Sequence, residues 1–204
     1  MYVPEAFAER EQGVLHGWMQ RHAFALLVSA RAGVLEATHL PLWLDPARGP
    51  HGTLLGHVAR PNPHWRSFDG ATRALAVFSG PHAYVSPRWY RKPGVPTWNY
   101  LAVHAEGVPR IVDDPEAVRA LLERLTETHD GPGGWDAIPA DLVARLSHGI
   151  VAFELPIERL VGKRKLSQNK SGEDRAGVVA GLRASGEPEA LAIAALVEGR
   201  GGPA

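Results

Sequence analysis

Short apolar runs, each stopped by a glycine or proline, follow one another from residue 24 to residue 112 and most constrain the fold. "FALLVSA", "RAG" and "VLEATHLPLWL" read as strand, turn, strand. "GTLLGHVAR" is a third strand, broken by "PNP", with a turn or the start of a short helix around His64 and Trp65. "RALAVFSG" and "HAYVS" read as one strand bent at Gly80-Pro81, and "WNYLAVHAEG" with "VPRIV" as a hairpin turning at Glu106-Gly107. Six or so antiparallel strands at this spacing imply a closed or split β-barrel, because closure removes exposed edges. Ten of the 17 prolines and eight of the 22 glycines fall in this stretch and supply its turns.

Helices flank this β-rich body. Val14, Leu15 and Trp18 share a helical face within residues 11–21. In "DDPEAVRALLERLTETHD", Asp114 is placed to cap a helix, Pro115 takes its first position, and Val118, Leu121, Leu122 and Leu125 share one face. "PADLVARLSHG" is a second helix here, and "IVAFELPI" a buried strand that rejoins the barrel. Two more helices follow: "GEDRAGVVAGLRA", capped by Ser171, and "EPEALAIAALVEG", ending at Gly199. The expected organisation is α+β and mainly β: a barrel domain over 1–170 with a helical tail over 171–204.

Several chemistries are unsupported. The chain has no cysteine, which excludes disulfides, thiolate metal sites and cysteine nucleophiles. His39, His57, His82 and His104 lie in or beside strands, but no H-x-H or H-E-x-x-H pair occurs, so no metal site is expected. Ser79, Ser86 and Ser167 lack the glycine elbow of a hydrolase, and "GPHGTLLG" lacks the lysine and helix of a phosphate loop. The start carries no basic segment followed by an apolar one, and no apolar run is long enough for a bilayer, so a cytoplasmic location without membrane contact is expected. Lys and Arg total 22 against 22 Asp and Glu, a balance that gives little support to a nucleic-acid coat.

Three segments carry the chemistry that remains. "SPRWYRKPGVPTWNY", residues 86–100, holds two tryptophans, two tyrosines and three prolines beside Arg88, Arg91 and Lys92. It reads as a stiff aromatic wall rather than a turn or a core strand. "GHVARPNPHW" puts Arg60 at a strand end beside Asn62 and Trp65. "LPIERLVGKRKLSQNK" sets Arg159, Lys163, Arg164, Lys165 and Lys170 beside Ser167, Gln168 and Asn169. Cations followed by short hydrogen-bonding side chains suit an anion, since the first supply charge and the second fix geometry. On an extended segment Lys163 and Lys165 face one side and Arg164 the other.

These strings, with "MYVPEAF", "ATHLPLWLD", "FSGPHAYVSPRWY" and "GIVAFEL", run in an order that resembles the PaiB-like proteins, described as FMN-binding negative transcriptional regulators. The resemblance implies a split barrel like that of pyridoxamine-phosphate oxidases, a homodimer, and FMN in a cleft at the subunit interface. It makes residues 86–100 a wall of that cleft, with Trp89, Tyr90, Trp98 and Tyr100 against a planar ring or the partner subunit. It implies cofactor contacts from Thr38, His39, Arg60, Asn62, Trp98, Asn99, Lys163, Lys165 and Gln168. The chain departs from those oxidases in "THLPLWL", which has His39 where they carry an arginine and a lysine. No catalytic residue is assigned. Two functions remain open: a regulator or ligand-sensing module, and a flavin-dependent oxidoreductase, with haem as an alternative cofactor because the histidines offer axial ligands. DNA is a weakly supported partner, since no helix-turn-helix stands out.

Overall fold

In the computed structural model of the chain, residues 1–199 are described, so the expected tail over 171–204 is seen as far as Gly199. The strands are β1 (Ala8–Glu9), β2 (Phe24–Arg31), β3 (Val34–Pro41), β4 (Trp43–Asp45), β5 (Thr53–Ala59), β6 (Ala74–Val85), β7 (Thr97–Gly107), β8 (Arg110–Val112) and β9 (Ile150–Lys165). The helices are α1 (Gln12–Arg21), α2 (Pro115–Asp130), α3 (Ala140–Ser147), α4 (Gly172–Ser185) and α5 (Pro188–Val197). The sheet runs β3-β2-β6-β7-β9-β5-β4, with β1 and β8 also paired to β9. β9 runs antiparallel to β1, β5 and β8.

Two compact units share these strands: one comprises Met1–His22, Ser79–Val103 and Val161–Ala204, the other Ala23–Phe78 and His104–Leu160. In the second unit Leu27, Leu54, Phe153, Leu155 and Ile157 are fully buried, and the rings of Phe68 and Phe153 lie 4.4 Å apart. β5 pairs with β9 along its whole length, from Thr53↔Pro156 to Ala59↔Ile150. The α2 cap is as the sequence predicts: Asp114 Oδ2 accepts from Ala117 N at 2.9 Å. Leu121 and Leu125 are the residues this helix buries.

β8 corrects the expected hairpin. Arg110, Ile111 and Val112 pair with Glu154, Phe153 and Ala152 instead of folding back on β7. A Cβ on Gly107 would overlap the carbonyl oxygen of Pro156. The chain therefore passes tightly against β9 there and continues along it. The segments on either side of Gly80-Pro81 form one unbroken strand, β6, as the sequence predicts.

In the first unit, Leu15, Trp18 and Met19 of α1 and Val178, Leu182, Ile193 and Ala194 of α4 and α5 are buried. Ser171 Oγ caps α4 by accepting from Asp174 N at 3.2 Å. The aromatic stretch is divided among several tasks. Trp89 lies on α4, where a Cβ on Gly177 would overlap its carbonyl oxygen and one on Gly181 its indole ring. Arg91 N donates to Asp174 Oδ1 at 2.8 Å, and Lys170 Nζ stands 4.4 Å from the Tyr90 ring centre. Replacing Gly177 by alanine is expected to cost roughly 1–3 kcal/mol, the usual range for overpacking. Gly172→Ala, where nothing lies within 4 Å, serves as the control. Urea midpoints check this; equal midpoints for the two variants would show that Trp89 is not held by this notch.

Candidate functional site

The first unit brings the lysines of the basic run together. Lys163 is only 8% exposed; its Nζ donates to the Tyr2 carbonyl at 3.1 Å. The same Nζ lies 5.7 Å from the Tyr2 ring centre and 5.1 Å from that of Tyr100. Lys165 Nζ donates to Thr97 Oγ1. Arg164 instead reaches Glu9, at 4.0 Å. Burial first, then the charges of Lys163 and Lys170, hold the Lys165 ammonium below the usual lysine pKa. Among the described residues neither Lys163 nor Lys165 has a carboxylate within ion-pair distance. Two cations drawn out of water without a counter-charge raise the local potential and favour an anionic ligand.

A tight turn follows these lysines. Ser167 sits at φ 60, the left-handed region that non-glycine residues seldom adopt. Its Oγ accepts from Asn99 Nδ2 at 3.0 Å, both residues being buried. Gln168 Oε1 accepts from Leu166 N at 2.7 Å, and its Nε2 donates to the Arg164 carbonyl. Asn99 and Gln168, both expected to touch cofactor, thus have polar groups engaged in fixing the turn. Trp98 is 52% exposed, with His82 at 6.1 Å and Tyr84 at 6.0 Å between ring centres.

The second unit gathers Thr38, Asn62 and a residue that sequence reasoning left out of the site, His64. His64 is fully buried. Its Nε2 and Nδ1 hydrogen-bond to Ser29 Oγ at 2.9 Å and Thr38 Oγ1 at 2.8 Å. Asn62 Nδ2 donates to the same Thr38 oxygen at 3.1 Å, while its Oδ1 accepts from His64 N at 3.0 Å. Burial lowers the His64 pKa, only partly opposed by Glu36. His39 stacks on Phe24, 6.1 Å between ring centres. Arg60 donates from Nε and Nη2 to the carbonyls of His148 and Ile150, each at 2.8 Å. The signal for His64 was the capping pattern Asn-Pro-His, which seats the imidazole one step inside a short helix. Tyr2 had no such signal: its backbone carbonyl, which any residue supplies, is what meets Lys163.

Among the described residues no group of three or more histidine, aspartate or glutamate side chains could hold a metal. No described helix is long and apolar enough to cross a membrane. Residues 1–159 match the family described as "Putative FMN-binding domain". The chain is 35% identical over 201 residues to "Protease synthase and sporulation protein PAI 2" of Bacillus subtilis, covering 97% of each. It is similar in structure to the FAD and heme binding protein of Mycobacterium smegmatis, with TM-score 0.65 and 16% identity over 83% of this chain and 78% of that one. It is also similar to the flavocytochrome Anf3 of Azotobacter vinelandii, with TM-score 0.64 and 18% identity over 86% and 78%. These likenesses show the fold to be α+β, an antiparallel split barrel of the pyridoxamine-phosphate-oxidase kind with flanking helices.

Proposed function

The chain belongs to the PaiB-like family of FMN-binding split-barrel proteins, and from that premise we propose that it binds FMN and acts as a ligand-sensing, negative regulatory module. The observation that carries this reading is the uncompensated pair Lys163 and Lys165, the first nearly buried between two tyrosine rings. A flavin phosphate supplies the missing negative charge, and its planar ring suits the neighbouring aromatic side chains. Flavin, when bound, would add redox chemistry; the residues here hold an anion and orient it.

The protein works as a cytoplasmic homodimer in this reading. Its support is the half-exposed cluster of Tyr84 and Trp98, with Val95 72% exposed in the same unit. Apolar side chains grouped this way on a surface favour a partner. Light scattering of the purified protein is expected to give twice the chain mass, and a monomer at micromolar concentration contradicts it.

Haem is the second reading, favoured by one observation. His57 Nδ1 is buried without a hydrogen-bond partner, and burial lowers its pKa, keeping the imidazole neutral and able to ligate iron. An absorbance spectrum of freshly purified protein, followed by titration with FMN and hemin, separates the two. Flavin bands or saturable FMN binding support the first reading. A Soret band lost in His57→Ala supports the second, and neither signal with either ligand contradicts both.

A further inference from the structure

A cavity of about 950 Å³ lies within the second unit, a size suited to a small ligand. Its walls are α2, α3, β8 and the first residues of β9. α2 is anchored by Leu121 and Leu125, which pack with Ala152, and turns Val118 and Leu122 to the cavity. α3 is different: it buries none of its residues, and Leu146 is 59% exposed. An amphipathic helix of this length needs tertiary packing to be stable. Here its end is held by Arg60, which grips the carbonyls of His148 and Ile150. The cavity is partly open to solvent and lined mostly by apolar side chains, so water that fills it meets few polar partners. A ligand with an apolar body displaces that water and gives α3 something to pack on.

The polar groups narrow the class. Arg60 is exposed, its Nε and Nη2 are taken by the two carbonyls, and among the described residues its Nη1 has no hydrogen bond and no carboxylate within ion-pair distance. Arg119, the other arginine of the lining, pairs with Glu123 at 3.5 Å. Asp113 and Asp136 also line the cavity, which disfavours a doubly charged guest. Trp65 and Trp135 provide aromatic walls, and Trp65 Nε1 donates to the Arg60 carbonyl at 3.0 Å, tying ring and cation together. We propose that this cavity is a second binding site, distinct from the lysine pair, for a small aromatic monocarboxylate. Its ring packs with Trp65 and Trp135, its carboxylate meets Arg60 Nη1, and α3 is the lid. The proposal does not depend on flavin.

The probe is 2-naphthoate, titrated by calorimetry beside its neutral isostere 2-naphthamide. Wild-type protein is expected to bind the carboxylate saturably and the amide about tenfold or more weakly, the loss of one charge-assisted contact. Val143→Trp and Ala144→Trp each fill the cavity from α3. Either variant that melts cooperatively by circular dichroism is expected to lose the binding. No saturable binding of 2-naphthoate to folded wild-type protein overturns the proposal. So does equal binding of the amide, or binding kept by a folded, filled variant. The wild-type comparison decides even if both variants fail to fold.

Discussion

Replacing both Lys163 and Lys165 by alanine is expected to weaken FMN binding by about a hundred- to ten-thousandfold. Each lysine offers a charge-assisted contact of roughly 1.5–3 kcal/mol, so the pair supplies roughly 3–6 kcal/mol before coupling between neighbours. The effect should fall on binding and not on folding. Lys163 is buried beside Lys165 without an acid to neutralise either charge, so removing both relieves repulsion while giving up the packing of their stems. Flavin-fluorescence titration and a thermal melt measure the two effects. Arg164→Ala, which removes the cation between them whose partner is Glu9, is the control and should leave FMN affinity within about threefold, as for a surface pair. A double variant that binds like wild type, or a control that loses as much, contradicts the assignment.

His64→Ala is expected to destabilise the protein by roughly 2–4 kcal/mol, because it opens a cavity and leaves buried partners unsatisfied. Ser29 Oγ loses its Nε2 contact, while Thr38 Oγ1 keeps only Asn62. The same residue predicts a pH dependence. Burial holds the folded pKa of His64 below its ordinary value. The unfolded chain therefore binds the proton more readily, and the stabilisation is complete above about pH 6.5. It is lost as pH falls from there through the folded pKa. His22, His57 and His104 are lowered by burial in the same sense. Urea unfolding at pH 8 and pH 5.5 should thus show wild type losing more stability on acidification than His64→Ala. Equal losses would mean that His64 is charged in the folded protein or not coupled to folding.

Local signals in the sequence were enough to read the helices and most strands. Asp114 before Pro115 and Ser171 before "GED" set two helix starts where the hydrogen bonds confirm them. Pairing partners were less legible. A period-two pattern tells which face a strand buries but not which strand lies beside it, and so the sequence points β8 to β7 where the structure pairs it with β9. "IVAFELPI" reads as a strand and "GKRK" as a separate extended segment, whereas β9 runs unbroken through both, because the charges of "IERLVGKRK" hide its continuity. Lys163 and Lys165 are legible as a pair on one side of the segment, because charge and alternation are local properties. The place of Trp89 is not. It depends on two glycines of α4 that leave room for it, and nothing in the aromatic stretch points to them. Thr38 and Asn62 were expected at cofactor by resemblance, and in the fold both are engaged with His64.

The central assignment, that Lys163 and Lys165 hold a flavin phosphate, is tested most directly by comparing FMN with riboflavin, which lacks that group. Both are titrated into wild-type protein and into the Lys163→Ala, Lys165→Ala double variant under one set of salt conditions. Wild type is expected to prefer FMN by about a hundredfold or more, from two charge-assisted contacts to the phosphate. In the double variant that preference should fall to near unity, with riboflavin affinity little changed. Equal affinities of wild type for the two flavins, or a preference for FMN that survives loss of both lysines, would contradict it.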